Sequence, residues 1–206
     1  MARVNGDGQL VQINRDDMQR VRDLLYGYRN GAERAAQRAI NKGGHAGRKA
    51  IVDGIYAKAA LKKKDIRSRA TFYQASLGTL GQASYKLVLK SGPLNLLEFY
   101  SAKPAAGKKG GVSFRIWRDG KREKYRHAFI ATLIQSRYSG VFEENVDSPK
   151  YDKEKGIPWR RKEGPGIPMI YEKTPGLAAK AHERAMEVMM AELDRQIGLI
   201  NKGFYD

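Results

Sequence analysis

Side chains able to do covalent or metal chemistry are sparse in this chain, and their spacing matches no familiar site. The three histidines, His45, His127 and His182, lack the HExxH spacing that places two imidazoles on one helical face around zinc. With no cysteine there is no disulfide, thiolate nucleophile or cysteine-bound zinc. A GxSxG nucleophile elbow and a Rossmann glycine signature are both missing. Glu143, Glu144 and Asp147 form the kind of acidic cluster with which a metal-dependent nuclease holds divalent ions. No second acidic group completes such a site, and a solvated acidic turn accounts for the three residues. A phosphate-binding P-loop fails as well. Gly107-Lys108 has Ala102 where the first glycine should stand and Lys109 where Ser or Thr should stand. The expectation is a protein without catalytic residues, metal or cofactor.

Cations are the abundant chemistry. The net charge is +17 and the pI about 10.0, which speaks about partners rather than fold. Residues 1–70 carry 16 Lys+Arg against 7 Asp+Glu, and residues 148–206 carry 11 against 9, so the positive field belongs to the N-terminal two thirds. Lys108, Lys109, Arg118, Lys121 and Arg122, with Lys124 and Arg126 beside them and Trp117 and Tyr125 interleaved, make a stacking-plus-phosphate pattern suited to DNA or another polyanion. The same charges would equally guard a sheet edge against aggregation. Lys62-Lys63-Lys64 reads either as a phosphate grip or as a solvated helix end where cations offset the macrodipole. Trp159, followed by Arg160 and Arg161, has the composition of a residue that docks into a partner. No apolar run approaches the roughly 20 residues a membrane span needs, and the first residues lack the pattern of an export signal.

Periodicity supplies the elements that position these groups. After Asn14 or Asp16, apolar residues at Met18, Val21, Leu24, Leu25 and Tyr28 predict a helix ending near Asn30-Gly31. A second helix runs from Ala32 to Ile55 on small residues, and Gly43-Gly44 threatens its continuity at about 1 kcal/mol per glycine. Residues 1–14 read as a loose start or an edge strand through Leu10–Ile13, and strands are predicted at 69–75 and 84–91, with an apolar cluster at Leu94, Leu96, Leu97 and Phe99. Val112, Phe114 and Ile116 alternate with Ser113, Arg115 and Trp117 as a half-buried strand. Asp119-Gly120 then offers a tight turn, and Lys121 to His127 returns as the hairpin's second strand. Ala128–Ala131 and Gly140–Phe142 extend this block, read as the centre of the core with a basic outer face. Residues 101–111 and 148–168 are glycine-, proline- and lysine-bearing loops. Thr174-Pro175 supplies an N-cap and first-turn proline for a helix reaching Ile200. The chain divides into a helical region over 15–60, a sheet over 67–147, an extended arm over 148–173 and a C-terminal helix over 174–201, within one domain spanning 1–206.

Several stretches together resemble the minor tail protein Z, or tail completion, family of tailed bacteriophages and prophages. They are RAAQRAINKGGHAGRKA, ALKKKDIRSRATF, LNLLEF, HAFIATLIQSRYSGVFE and IPMIYEKTPGLAAKAHERA. His127 stands where that family usually has glycine, and Glu143 where it has arginine. The resemblance implies an α+β subunit, with a curved, mainly antiparallel sheet packed against long N-terminal and C-terminal helices and extended loops or arms. It further implies a structural virion protein at the head-proximal end of the tail, in a homo-oligomeric ring with hexameric symmetry. Its neighbours would be the tail tube, the tail terminator and neck or connector proteins, with viral DNA in the channel. Such a ring needs a heterologous interface on each subunit, for which the loops 101–111 and 148–168 and the arm residues Trp159, Arg160 and Arg161 are the candidates. The alternative is a sequence-independent nucleic-acid-binding protein that uses the basic hairpin, and a metal nuclease forms a third class.

Overall fold

The computed structural model describes residues 9–12, 15–26, 31–75, 86–105, 110–145 and 158–204. In chain order the elements are β1 (Gln9–Gln12), α1 (Arg15–Leu25), α2 (Ala32–Lys58), α3 (Lys63–Ser68), β2 (Ala70–Tyr73), β3 (Lys86–Leu89) and β4 (Leu94–Asn95). A 3-10 turn at Leu96–Glu98 leads to β5 (Lys103–Pro104), β6 (Val112–Phe114), β7 (Glu123–Tyr125), β8 (Ala128–Leu133), β9 (Tyr138–Glu144) and β10 (Trp159–Gly164). The chain closes with α4 (Ile167–Glu172) and α5 (Leu177–Ile200). The fold is α+β with antiparallel sheets, one of them strongly curled into half a barrel. The strands group as β1-β3-β2, β4-β10-β9-β8 and β5-β6-β7.

The two long helices form the spine. One face of α2 buries Ala35, Ala36, Ala39, Ile40, Gly43, Ile51 and Ile55, and α5 meets it with Ala181, Ala185, Met189 and Leu193. Small residues on both sides let the backbones approach. Gly43 explains why Gly43-Gly44 does not break α2. An added Cβ there would lie 2.7 Å from the Ala185 carbonyl oxygen and 2.8 Å from Met189 Cβ. Close packing with α5 thus offsets the propensity cost of glycine. The sheet β1-β3-β2 packs on α2 through Leu87 and Leu89, the buried half of an alternating strand.

Four expectations need correction. The arm expected over 148–173 is regular structure wherever it is described. Trp159–Lys162 pairs antiparallel with Val141–Glu144, Gly164 pairs with Leu94, and α4 follows; residues 148–157 lie outside the described residues. Prolines at 158, 165 and 168 flank the strand or open α4 and so cost no ladder bond. Thr174 is not the N-cap of the last helix, because its hydroxyl donates to the Ile170 carbonyl at 2.8 Å and closes α4. Gly176 caps α5 instead, at φ 73°, a conformation that favours glycine. Lys62-Lys63-Lys64 stands at the start of α3, where cations oppose rather than offset the macrodipole, and Lys63 is held by Asp53. Finally, the block at 112–142 is not the centre of the core. Val112, Phe114, Ala128 and Val141 reach it, but most of its buried residues belong to α2, α5 and the segments packed on them.

Candidate functional site

The basic hairpin exists, in the register Val112↔Tyr125, Ser113↔Lys124 and Phe114↔Glu123. Its connection is longer than the two-residue turn expected. The strand stops at Phe114, and Trp117 leaves the ladder to bridge Ala59 where α2 ends. Ala60 N–H donates to Ile116 O at 2.8 Å, and Arg118 N–H donates to Lys58 O at 2.8 Å. A turn closes from Gly120 N–H to Trp117 O at 3.2 Å without a positive φ at Gly120. The hairpin is therefore clamped to the exit of α2, an attachment that pairs residues about 58 positions apart.

That clamp uses Arg118, and contacts to Ser113 and Ser101 use Arg122, both of them arginines expected to meet phosphate. The Arg118 guanidinium lies 4.1 Å from the Tyr56 ring and 5.3 Å from Tyr100, and its Nε donates to Ala59 O at 3.0 Å. Arg122 donates from Nε to Ser113 Oγ at 2.8 Å, and from Nη2 to Ser101 O at 2.6 Å and Ser113 O at 3.1 Å. Lys121 is exposed, while Lys108 and Lys109 lie outside the described residues. Beside them the Lys58 ammonium, 3.1 Å from Asp119, holds that carboxyl below the usual carboxylate range. Arg118→Ala is expected to cost about 1–2 kcal/mol of stability, and Arg118→Lys to recover little of it, because a lysine lacks the planar stacking face. The urea midpoint, read at unchanged slope, measures both.

A second surface lies on β8, β9 and β10. The registers Phe129↔Phe142, Arg161↔Phe142 and Trp159↔Glu144 place Phe129, Phe142, Trp159 and Arg161 on one face. The Trp159 ring meets Phe129 edge-on at 4.8 Å and Phe142 at 5.7 Å, and Tyr138 meets Phe142 at 6.3 Å. Gly140 leaves room for these rings, since a Cβ there would stand 2.7 Å from Tyr138. Trp159 remains 49% exposed, and at the end of the hairpin Leu133 is 36% and Ile134 is 93% exposed. The strand β8, Ala128-Phe129-Ile130-Ala131-Thr132-Leu133, carries no charge and no proline, and among the described residues it pairs with β9 on one side and with no strand on the other. An apolar edge without protective charges is a template for pairing with another chain.

The acidic cluster is likewise drawn into structure. Glu143 sits opposite Arg160 on the other face of the sheet, 3.6 Å from its guanidinium, and also pairs with Lys162. Arg161 pairs with Glu163 at 2.6 Å. Asp147 lies outside the described residues, and among those described no group of three or more His, Cys, Asp or Glu side chains is placed to hold a metal ion. Of the arm candidates, Trp159 and Arg161 thus share the aromatic face and Arg160 points to the opposite one. Sequence reading missed Glu192, 4% exposed on α5. It accepts from Arg195 at 2.5 Å, Lys42 at 2.5 Å and Gln196 at 2.5 Å. The Arg195 and Gln196 partners were readable as three- and four-residue helical spacings, whereas Lys42 belongs to α2.

Among the described residues no helix is long and apolar enough to cross a membrane. The class of protein that fold and surfaces define is an α+β chain with a helical spine, a clamped basic hairpin and an aromatic sheet face on which Trp159 is half exposed. No family model matches the chain, and neither a curated protein nor a solved structure does.

Proposed function

We propose that the chain is a structural subunit of a tailed-bacteriophage virion, one that completes the head-proximal end of the tail and helps join tail to head around the DNA channel. The observation that carries this reading is the hairpin 127–143. It is the segment most like the tail completion family, and it is built with an uncharged edge strand that ends in the exposed Leu133 and Ile134. A protein that acts alone rarely leaves such an edge bare, whereas an assembly subunit uses it on its neighbour. The neighbour is a further copy of the chain in a closed ring, hexameric in keeping with the family, with tail tube, terminator and connector proteins above and below. The subunit works by assembly rather than catalysis, in the virion, after assembly in the host cytoplasm.

The alternative, a nucleic-acid-binding hairpin, is weakened because Arg118 and Arg122 hold the hairpin to its own chain. Substituting Leu133→Lys and Ile134→Lys together is expected to change unfolding stability by less than about 0.5 kcal/mol, as exposed positions do. The same pair should abolish ring formation seen by negative-stain imaging. Rings formed as readily by the double variant would show that the edge is not the interface.

A further inference from the structure

A cleft of about 230 Å³ opens between α2 and α3, lined by His45, Arg48, Lys49, Val52, Asp53 and Arg67. Helical geometry builds it. His45, Arg48, Lys49 and Val52 recur at three and four residues and so share one side of α2, and Arg67, in the last turn of α3, closes the opposite wall. The Arg48 side chain is positioned: its Nη2 donates to the Arg67 carbonyl at 3.0 Å. The His45 ring rests against Phe72, with centroids 4.3 Å apart.

Charge in the cleft is one-sided. Asp53, the sole carboxylate in the lining among the described residues, is paired with Lys63. Among the described residues no carboxylate pairs with Arg48, Lys49 or Arg67. Some cations of this chain are paired, as Lys42 is with Glu192 and Arg69 with Glu98. Three cations, one of them braced by the Arg67 carbonyl, gather around the concavity with no paired carboxylate among the described residues.

We propose that this cleft binds a phosphate group, the anion that arginine's planar fork and a lysine point charge suit best. The volume is several times the roughly 30 Å³ share of a water molecule, so it admits a phosphoryl group with part of what it is attached to. The phosphate can arrive free, as inorganic phosphate or a small phosphoester, or as a phosphodiester of nucleic acid. The site also gives the basic corner at Lys62-Lys63-Lys64 an indirect part, since Lys63 neutralises the acid that would otherwise repel the ligand. It does not depend on the virion reading, because ring formation and phosphate binding are read by different measurements.

Calorimetric titration of the purified full chain with inorganic phosphate tests the proposal. A saturable event of one phosphate per chain is expected, and Lys49→Gln and Arg67→Gln should each weaken it about tenfold, the scale of losing one charge-assisted contact. Lys49 is exposed, so its variant keeps the test valid even if Arg67→Gln perturbs α3. Lys180→Gln, an exposed lysine on α5, should leave binding unchanged. A second arm uses a duplex DNA oligonucleotide at fixed salt. Parallel losses in DNA and phosphate binding identify a nucleic-acid phosphodiester as the ligand, and loss of phosphate binding alone identifies a small phosphate. Absence of saturable phosphate binding, or an equal loss in Lys180→Gln, would overturn the proposal.

Discussion

Gly43→Ala is expected to destabilise the protein although it places the best helix former in the middle of a helix. On propensity alone the change should gain about 1 kcal/mol. Against that, the new methyl would sit 2.7 Å from the Ala185 carbonyl oxygen and 2.8 Å from Met189 Cβ, and the first of these is backbone that cannot rotate aside. Overpacking of this kind costs about 1–3 kcal/mol, so the net expectation is a loss of about 1 kcal/mol. Gly43→Leu should lose about 3 kcal/mol, because the whole side chain must then force α2 from α5. Gly198→Ala is the internal control. It lies in α5 with no atom within 4 Å of the added Cβ, and should gain about 0.5–1 kcal/mol. Opposite signs at two helical glycines, read by thermal or urea unfolding, would locate the effect in packing. Two gains would mean that the helices are not in contact at Gly43.

Loss of the Glu192 carboxylate should be the other large effect, and acid should reproduce it. The Arg195 guanidinium beside Glu192, with Lys42 and Gln196, lowers its pKa from the ordinary 4.5 to about 2, against the opposing effect of burial. A carboxyl whose pKa is lower in the folded state stabilises the fold when ionised. That stability is complete above about pH 4.5 and is lost as pH falls toward 2. The heads of Lys42 and Arg195 are both 58% exposed, and solvent screening reduces the contribution to about 2 kcal/mol. Glu192→Gln should therefore unfold at a lower denaturant concentration at pH 7, and its stability should fall less steeply than the parent's between pH 4.5 and 2. Glu192→Ala should cost about 3 kcal/mol, since the buried Gln196 also loses one of its hydrogen bonds. If the variants and the parent share one pH profile, the cluster does not link α2 to α5.

Periodicity revealed elements where one side of a segment is apolar and the other polar. It found α1, α2 and α5, the buried half of β3 at Leu87 and Leu89, and the buried Val112 and Phe114 of the hairpin, whose tight Asp119-Gly120 turn implied a register different from the observed Val112↔Tyr125 and Phe114↔Glu123. It failed where the deciding partner is distant in sequence. Nothing local marks Trp159–Gly164 as a strand, because the run Trp-Arg-Arg-Lys-Glu-Gly lacks alternation. Pairing with Val141–Glu144, reinforced by Arg160 and Lys162 on Glu143, makes it one. Thr174 carries the residue type of an N-cap but closes the preceding short helix, a choice set by its bond to Ile170. The surfaces divide in the same way. The arginines at 118 and 122 were visible as charge, but their engagement with Tyr56, Tyr100 and Ser101 depends on the hairpin docking at the end of α2. Phe129, Phe142 and Trp159 were visible as aromatics, and only the register of three strands puts their rings together.

The central claim, a subunit that assembles by its open sheet edge at the end of a phage tail, is tested most directly by negative-stain imaging of the purified protein alone and with tail tubes. Closed rings of uniform subunit number, or density capping one end of the tubes, both lost with Leu133→Lys and Ile134→Lys, are the predicted result. A protein that stays monomeric at high concentration and leaves both tube ends bare would contradict it.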